Sequence, residues 1–421
     1  MALGLRDAGF GPTHSYEVDA HACATLRLGS QRSTTFGWTV HEGDIHSVNW
    51  AEIVSPVRLL AGGAPCRPFS LGGSHKAHDD GRNLFPQVFR AIRALSPTCV
   101  VLENVRGILR ASFLPYWEYI LAQLQNPSIA PRKNESWRDH YKRIKTYRAG
   151  LNADAEYTVT WRLVDAADYG VAQNRLRVIL IATRANLPRF PFPEPTHSCH
   201  ALIRTMADGS YWRRHSLPIP RRLPFPKRVV INASENTLPW VTVRDAVDSL
   251  TQPATREEGC TDHHWLIPGA RSYKGHRGSK LDWTSKTIKA GVHGVPGGEN
   301  TLRDGTRFRY YTLREAARIQ SFPDWYMFSG ARLHVTRQIG NAVPPILARA
   351  IAIPLHAFLS QHLSAARPQL VAGQRLAAPP RVLPAPESLP SSALLPAPLE
   401  MPFHAQEIFS LNPSNGKTLP A

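Results

Sequence analysis

From Ser15 to about Ala182 the chain alternates short apolar runs with amphipathic helices, and that alternation restricts it to an open α/β architecture. Ser15-Tyr-Glu-Val18 reads as a strand, followed by a helix through Cys23 and Leu26. Gly37-Trp-Thr-Val40 leads to Gly43-Asp44, and Val57 to Ala61 is a third strand. Leu84, Phe85, Val88, Phe89, Ile92 and Leu95 recur at helical spacing and give one apolar face. Thr98 to Leu102 closes on Glu103, and Val178 to Ala182 is a further apolar run. The expected fold is α/β, a doubly wound, mostly parallel sheet. In such sheets ligands sit beyond the carboxyl ends of the strands. Glu17, Asp44, Cys66 and Glu103 all fall at such ends.

Lys and Arg outnumber Asp and Glu by 50 to 32, a net charge of +18 that favours a polyanionic partner. The five cysteines are scattered and include no Cys-x-x-Cys pair, which argues for a reducing compartment rather than a disulfide framework. No apolar run approaches the ~20 residues of a membrane span, and the N-terminus lacks the pattern of a signal peptide. The expected setting is cytoplasmic, without a membrane partner. A polar, basic insert from Asn126 to Gly150 reads as a solvated surface loop, with contact to nucleic acid as the alternative. Prolines, aromatics, Arg and Gly dominate after Arg184, to about Tyr311, as in a second, irregular domain. Helical periodicity returns at Leu313 to Gln320 and at Ile346 to Leu359. The Pro-rich tail that follows is expected to be disordered.

Three segments carry the chemistry. Gly62-Gly-Ala-Pro-Cys-Arg-Pro-Phe-Ser70 places Cys66 in a tight turn after an apolar run. Glu103-Asn-Val105 closes another, and Gln173-Asn-Arg-Leu-Arg177 leads into a third. With Arg314-Glu-Ala-Ala-Arg-Ile-Gln-Ser-Phe-Pro323 and Gln338-Ile-Gly-Asn-Ala-Val-Pro344, these blocks resemble, in order and wording, the DNA cytosine-5 methyltransferases of bacterial restriction–modification systems.

Carbon 5 of cytosine is a poor nucleophile. A thiolate added at carbon 6 makes it enamine-like, and an acid that protonates nitrogen 3 favours the addition. The resemblance implies Cys66 as nucleophile, Glu103 as the nitrogen-3 acid, and Arg175 and Arg177 as ligands of the target base. It implies S-adenosyl-L-methionine as cofactor, with Glu17 on the ribose hydroxyls and Asp44 on the adenine amine. Asn341 belongs to a C-terminal element that returns to the cofactor side. Gly72-Gly73 would hinge a loop that closes over the substrate. His197-Ser-Cys199-His200 and Cys260-Thr-Asp-His263-His264 hold zinc-type ligands at irregular spacing, and no metal is expected.

The implied organisation is a catalytic domain over 1–190, a target-recognition domain over 191–311, C-terminal helices over 312–366 and the tail over 367–421. Ser285-Lys-Thr-Ile-Lys-Ala290 and Gly291 to Gly298 read as a basic loop approaching DNA. The partner is double-stranded DNA with the target base extruded. A cognate restriction endonuclease is linked by function rather than by binding, and the chain is expected to act as a monomer. The family's opening Phe-x-Gly-x-Gly strand and loop is not found before Leu3-Gly-Leu-Arg-Asp-Ala-Gly-Phe10, so the sheet is expected to lack its first strand. Arg67 replaces the glutamine usual after the cysteine. Two other readings follow: a DNA-binding remnant impaired by lack of the cofactor loop, and an RNA cytosine-5 methyltransferase.

Overall fold

The computed structural model describes residues 1–11, 14–31, 37–53, 56–63, 83–151, 154–221, 223, 236–255, 262–272, 277–290, 300–305 and 307–365. Met1–Arg367 forms one compact unit, and the second unit, Pro368–Ala421, lies wholly outside the described residues. Cys66, Arg67, Gly72, Gly73, Cys260 and the loop at 291–298 also lie outside them.

The first half runs α1 (Ala2–Asp7), β1 (His14–Glu17), α2 (Ala20–Gln31), β2 (Thr39–Glu42), β3 (Leu59–Gly63), α3 (Phe85–Leu95) and β4 (Cys99–Val105). It continues through α4 (Leu114–Gln125), α5 (Trp137–Leu151), β5 (Tyr157–Asp165) and β6 (Leu176–Arg184). The strands stand where the apolar runs placed them, within a few residues. The insert expected as a loop instead contains α5, because Trp137, His140 and Ile144 recur on one side of a helix and pack inward on α4.

Four strands form one sheet in the order β3-β4-β6-β5, while β1 and β2 pair with each other in a separate two-stranded sheet. The pairs β1/β2 and β3/β4 are parallel, but β6 is antiparallel to both β4 and β5. The mostly parallel sheet expected from the sequence is therefore a mixed one. The connection 166–175 between β5 and β6 is shorter than the dozen or so residues a parallel crossover takes, so the two strands form a hairpin.

Strand alternation divides the core in two. Val100, Leu102, Val178, Leu180 and Ala182 face α3, α4 and α5, where Phe85, Phe89, Ile120 and Ile144 are buried. Cys99, Val101, Ile179 and Ile181 face the other way, onto Leu347, Ile351, Leu355 and Leu359 of the C-terminal helix. Within Arg332–Leu363 an 18-residue stretch is apolar enough to span a membrane by composition, with a mean hydropathy of 1.6, yet 56% of that stretch is buried inside the protein.

The second half runs β7 (His197–Ser198), α6 (Cys199–Ala207), α7 (Ser210–Arg214), β8 (Leu238–Pro239), α8 (Val243–Val247), β9 (Ser279–Lys280), β10 (Thr301–Asp304) and β11 (Arg307–Tyr310). Then come α9 (Leu313–Ile319), α10 (Arg332–Asn341) and α11 (Pro345–Ala365). This half is more regular than its proline content suggested. Ser198 caps α6, and Thr242 with Asp245 and Thr312 with Glu315 form capping boxes on α8 and α9. Leu202, Met206, Tyr211 and Trp212 make a small local core. A larger one joins Leu3, Trp38, Ala172, Trp265, Ile288, Leu302 and Ala317, drawing on both halves of the chain.

Asp168, in the β5–β6 connection, accepts a hydrogen bond from Trp240 Nε1 at 2.9 Å. Burial pushes its pKa up to about 6 against the opposing effect of that bond. Raised above its unfolded value, Asp168 contributes stability that is fully present below about pH 4 and is lost as pH rises through about 6. Asp168→Asn keeps the acceptor and removes the titration. In urea unfolding it is expected to gain about 1–2 kcal/mol over the unsubstituted chain near pH 8, allowing for partial screening, with no gain near pH 4. An equal difference at both pH values refutes the assignment.

Candidate active site

The carboxyl edge of the four-stranded sheet gathers three of the sequence-predicted segments. Gly63, the last described residue before Cys66, is the register partner of Glu103 in the β3/β4 pair. A Cβ built on Gly63 would stand 3.1 Å from Glu103 Oε2, so the glycine lets the strand end lie close against the carboxylate. On the other side of β4, Arg177 is opposite Val105, two residues beyond Glu103 and on the same face of the sheet. Arg177 Nε and Glu103 Oε1 form an ion pair at 2.6 Å, with side chains only 12% and 11% exposed. Arg177 also donates from Nη1 to the Leu176 carbonyl, which holds the guanidinium across the strand ends.

Antiparallel pairing is what makes this contact possible. Arg175 and Arg177 come at the start of β6, and the start of a parallel strand lies at the opposite edge of the sheet from Glu103. In the hairpin, the start of β6 meets the end of β4.

The two arginines do different things. Arg175 is 1% exposed. Its Nη1 donates to the Ile288 carbonyl at 3.0 Å, and its Nη2 donates to the Gly340 and Ala342 carbonyls at 2.7 and 3.1 Å. Its neighbours extend the joint. Gln173 accepts from Ile288 N through Oε1 and donates to the Ile319 carbonyl and to Gln320 Oε1. Gln320 donates onward to the Ile339 and Ala342 carbonyls. Asn174 Oδ1 accepts from Thr284 Oγ1, its backbone N donates to the Ser285 carbonyl, and its carbonyl accepts from Thr287 Oγ1. Where α10 meets the 284–290 segment, Gly340 leaves room for Ala290 N, which would lie 2.2 Å from an added Cβ.

Residues 285–290, expected to be a loop on DNA, are therefore partly structural. Ser285 and Ile288 are buried in the joint, while Lys286 and Lys289 point to solvent. The sequence carried the polar Gln173 and Gln320, but nothing in either segment alone marks them as partners.

Glu17 and Asp44 lie together at the carboxyl end of the two-stranded sheet, where Gly43 N donates to the Glu17 carbonyl. Glu17 Oε1 accepts from Val18 N and Asp19 N, and among the described residues Oε2 accepts nothing. Asp44 Oδ1 accepts from the His46 backbone and ring, and these bonds hold its pKa below the usual carboxylate value. Each acid thus has a fixed carboxylate with an oxygen left for a hydroxyl or amino donor. Asn341 is exposed at the end of α10, whose body packs on α2 through His334 and His21. Among the described residues no contact joins Asn341 to Glu17 or Asp44.

The described cysteines are poor nucleophiles. Burial pushes the Cys99 thiol up to about 12 and, helped by Asp168, Cys199 up to about 11. Burial and nearby carboxylates also raise Cys23. Among the described residues no three His, Cys, Asp or Glu side chains gather as a metal site. His264 instead bonds Thr312 Oγ1 and the Thr251 carbonyl, and His263 bonds the Phe328 carbonyl.

A family model described as C-5 cytosine-specific DNA methylase matches residues 1–127 and 138–356. The chain is 29% identical over 357 residues to the Type II methyltransferase M.NgoMIV of Neisseria gonorrhoeae, covering 83% of this chain and 92% of that protein. It is 30% identical to the Type II methyltransferase M.AplI of Arthrospira platensis, covering 84% and 81% of the two chains. Among solved structures, a DNA modification methyltransferase encoded within an Escherichia coli prophage superposes with a TM-score of 0.50. The identity is 20%, over 85% of this chain and 96% of that one, which bears on the fold alone.

Arg175→Met strands the Ile288 and Gly340 carbonyls in a buried joint and leaves the Ala342 carbonyl only its bond from Gln320. It is expected to cost about 3 kcal/mol or more in urea unfolding. Gly340→Ala forces α10 off Ala290 and is expected to cost about 1–3 kcal/mol. A loss under ~0.5 kcal/mol for either variant refutes the clasp.

Proposed function

This chain belongs to the C-5 cytosine-specific DNA methylase family, and from that premise we propose that it methylates carbon 5 of a cytosine within a specific double-stranded DNA sequence. The relatives are named Type II methyltransferases, and protection of host DNA in a restriction–modification system is the corresponding role. The observation that carries the reading is the Glu103–Arg177 pair, set against Gly63. Cys66 is three residues past Gly63, and a chain reaches at most ~3.5 Å per residue, so connectivity keeps it within about 10 Å of the Gly63 backbone.

At such a site the Cys66 thiolate adds to carbon 6 of an extruded cytosine. Glu103 donates a proton to nitrogen 3, which takes up the electron density displaced by the addition. Arg177 orients the Glu103 carboxyl and presents its remaining N–H groups to the base. Arg175, held by three carbonyls, positions this edge rather than touching the base. Once carbon 5 carries the methyl group, loss of its proton reforms the ring double bond and expels the Cys66 sulfur.

S-adenosyl-L-methionine supplies the electrophilic methyl group when bound. Glu17 and Asp44 fit its ribose hydroxyls and adenine amine, since both offer fixed carboxylate oxygens at one sheet edge. Asn341, on the helix packed against α2, belongs to the same side. β1 pairs only with β2 and β3 only with β4 among the described residues. The catalytic, recognition and C-terminal regions over 1–190, 191–311 and 312–366 work on this plan around one target base.

Transfer of labelled methyl from S-adenosyl-L-methionine to duplex DNA tests the reading, with bisulfite sequencing of DNA from expressing cells to locate the site. Cys66→Ser is expected to abolish transfer, and Glu103→Gln to slow it about 10²–10⁴-fold. Transfer to RNA but not DNA, or DNA binding with no transfer, refutes the proposal.

A further inference from the structure

The insert between α4 and β5 has no role in the chemistry above. The family match skips residues 128–137 within it. Residues 126–151 hold seven Lys or Arg against two Asp or Glu.

The insert is firmly attached. His140 bridges Tyr119 Oη at 3.1 Å and the Ile129 carbonyl at 2.8 Å, and burial lowers its pKa so that it serves as a neutral bridge. The Trp137 ring meets Tyr116 edge-on at 5.2 Å, and Gln123 donates to the Asn126 and Ile129 carbonyls. Its acids are occupied within the insert. Glu135 takes two bonds from Arg143, which hold its pKa down to about 2, and Asp139 bonds Ser136 and Lys142. Five of the seven cations are exposed to solvent. Arg132 and Lys133 are exposed in the loop. Arg138, Lys142 and Lys145 follow i, i+4, i+7 spacing on the exposed face of α5, a row about 10 Å long at ~1.5 Å per residue.

The row is also aimed. α4 runs back from the carboxyl end of β4, and α5 lies beside it, from Trp137 at Tyr116 to Arg148 at Gln125. Tyr116 Oη accepts a bond from Asn83, the residue at which the described chain resumes after the segment holding Cys66. The Trp137 end of the basic row therefore lies beside the start of α4, the helix that follows β4, and the row runs along α4 away from that end.

We propose that this insert is a second DNA-contacting surface, with Arg132, Lys133, Arg138, Lys142 and Lys145 binding backbone phosphates of duplex that flanks the target sequence. The proposal rests on the DNA-methylating reading for its choice of polyanion. Phosphate contacts of this kind add affinity without sequence information.

The test uses the full chain and the triple variant Arg138→Gln/Lys142→Gln/Lys145→Gln, with a second variant Arg132→Gln/Lys133→Gln as an independent probe of the loop. Binding is measured by anisotropy across a salt series, on duplexes of about 12 and about 40 base pairs carrying the mapped site. On the long duplex the triple variant is expected to lower the slope of log K against log salt by about 2–3, and to weaken binding about 10-fold or more near 0.1 M salt. The loop variant is expected to lower the slope by about 1–2. The short duplex and kcat at saturating DNA are expected to be unchanged. Unchanged slope and affinity on the long duplex in both variants overturn the proposal, as does an equal loss on both lengths. The slope is read without turnover. A chain that binds with the expected slopes but methylates nothing therefore upholds this surface and refutes the methylating reading instead.

Discussion

The guanidinium of Arg175 is taken out of water into a joint between segments more than a hundred residues apart, and the arrangement of the rest follows from it. Removing a charge from solvent is costly unless its donors are satisfied. Here carbonyls from the 284–290 segment and from the end of α10 converge on it, and Gln173 and Gln320 complete the network. The β5–β6 connection is thereby bound to the irregular half and to the C-terminal helices at one place. Residues on either side of this joint inherit its geometry, including Arg177, which begins β6 two residues later.

A mixed sheet serves this arrangement better than a parallel one would. Reversing β6 brings the segment that precedes it to the same edge as the residues that end β3 and β4. An acid, a guanidinium and the chain leading to a cysteine can then share one end of the molecule. The division of labour between the arginines depends on strand alternation as well as reversal, since Arg177 shares the face of Val105 and Glu103.

Much of this was legible in the sequence. Apolar runs located β1 to β4 and β6, and helical spacing located α3, because burial on a sheet leaves a periodic trace. The blocks around Glu103 and Gln173–Arg177 pointed to chemistry through residue type and order. Direction was not legible: a five-residue apolar run looks the same in either orientation, and only the short β5–β6 connection could have signalled reversal. Nor was the separate fate of Arg175 and Arg177, since a side chain's partners depend on distant backbone. The helix at Trp137–Leu151 was obscured by its charge, although Trp137, His140 and Ile144 carried the pattern. Capping residues Ser198, Thr242 and Thr312 marked helix starts in a region where prolines drew attention to irregularity.

Within the joint, the Arg175 guanidinium itself recognises main chain. Ile288, Gly340 and Ala342 contribute only their carbonyl oxygens to it, and every residue type has one. Between 191 and 311 the docking contact constrains chiefly the side chains of Thr284, Ser285, Thr287 and Ile288, which bond Asn174 or are buried beside it. Elsewhere in that region side chains can change by drift or exchange while the seam holding it to the sheet stays the same. Diversification and structural continuity need not compete, because they involve different atoms.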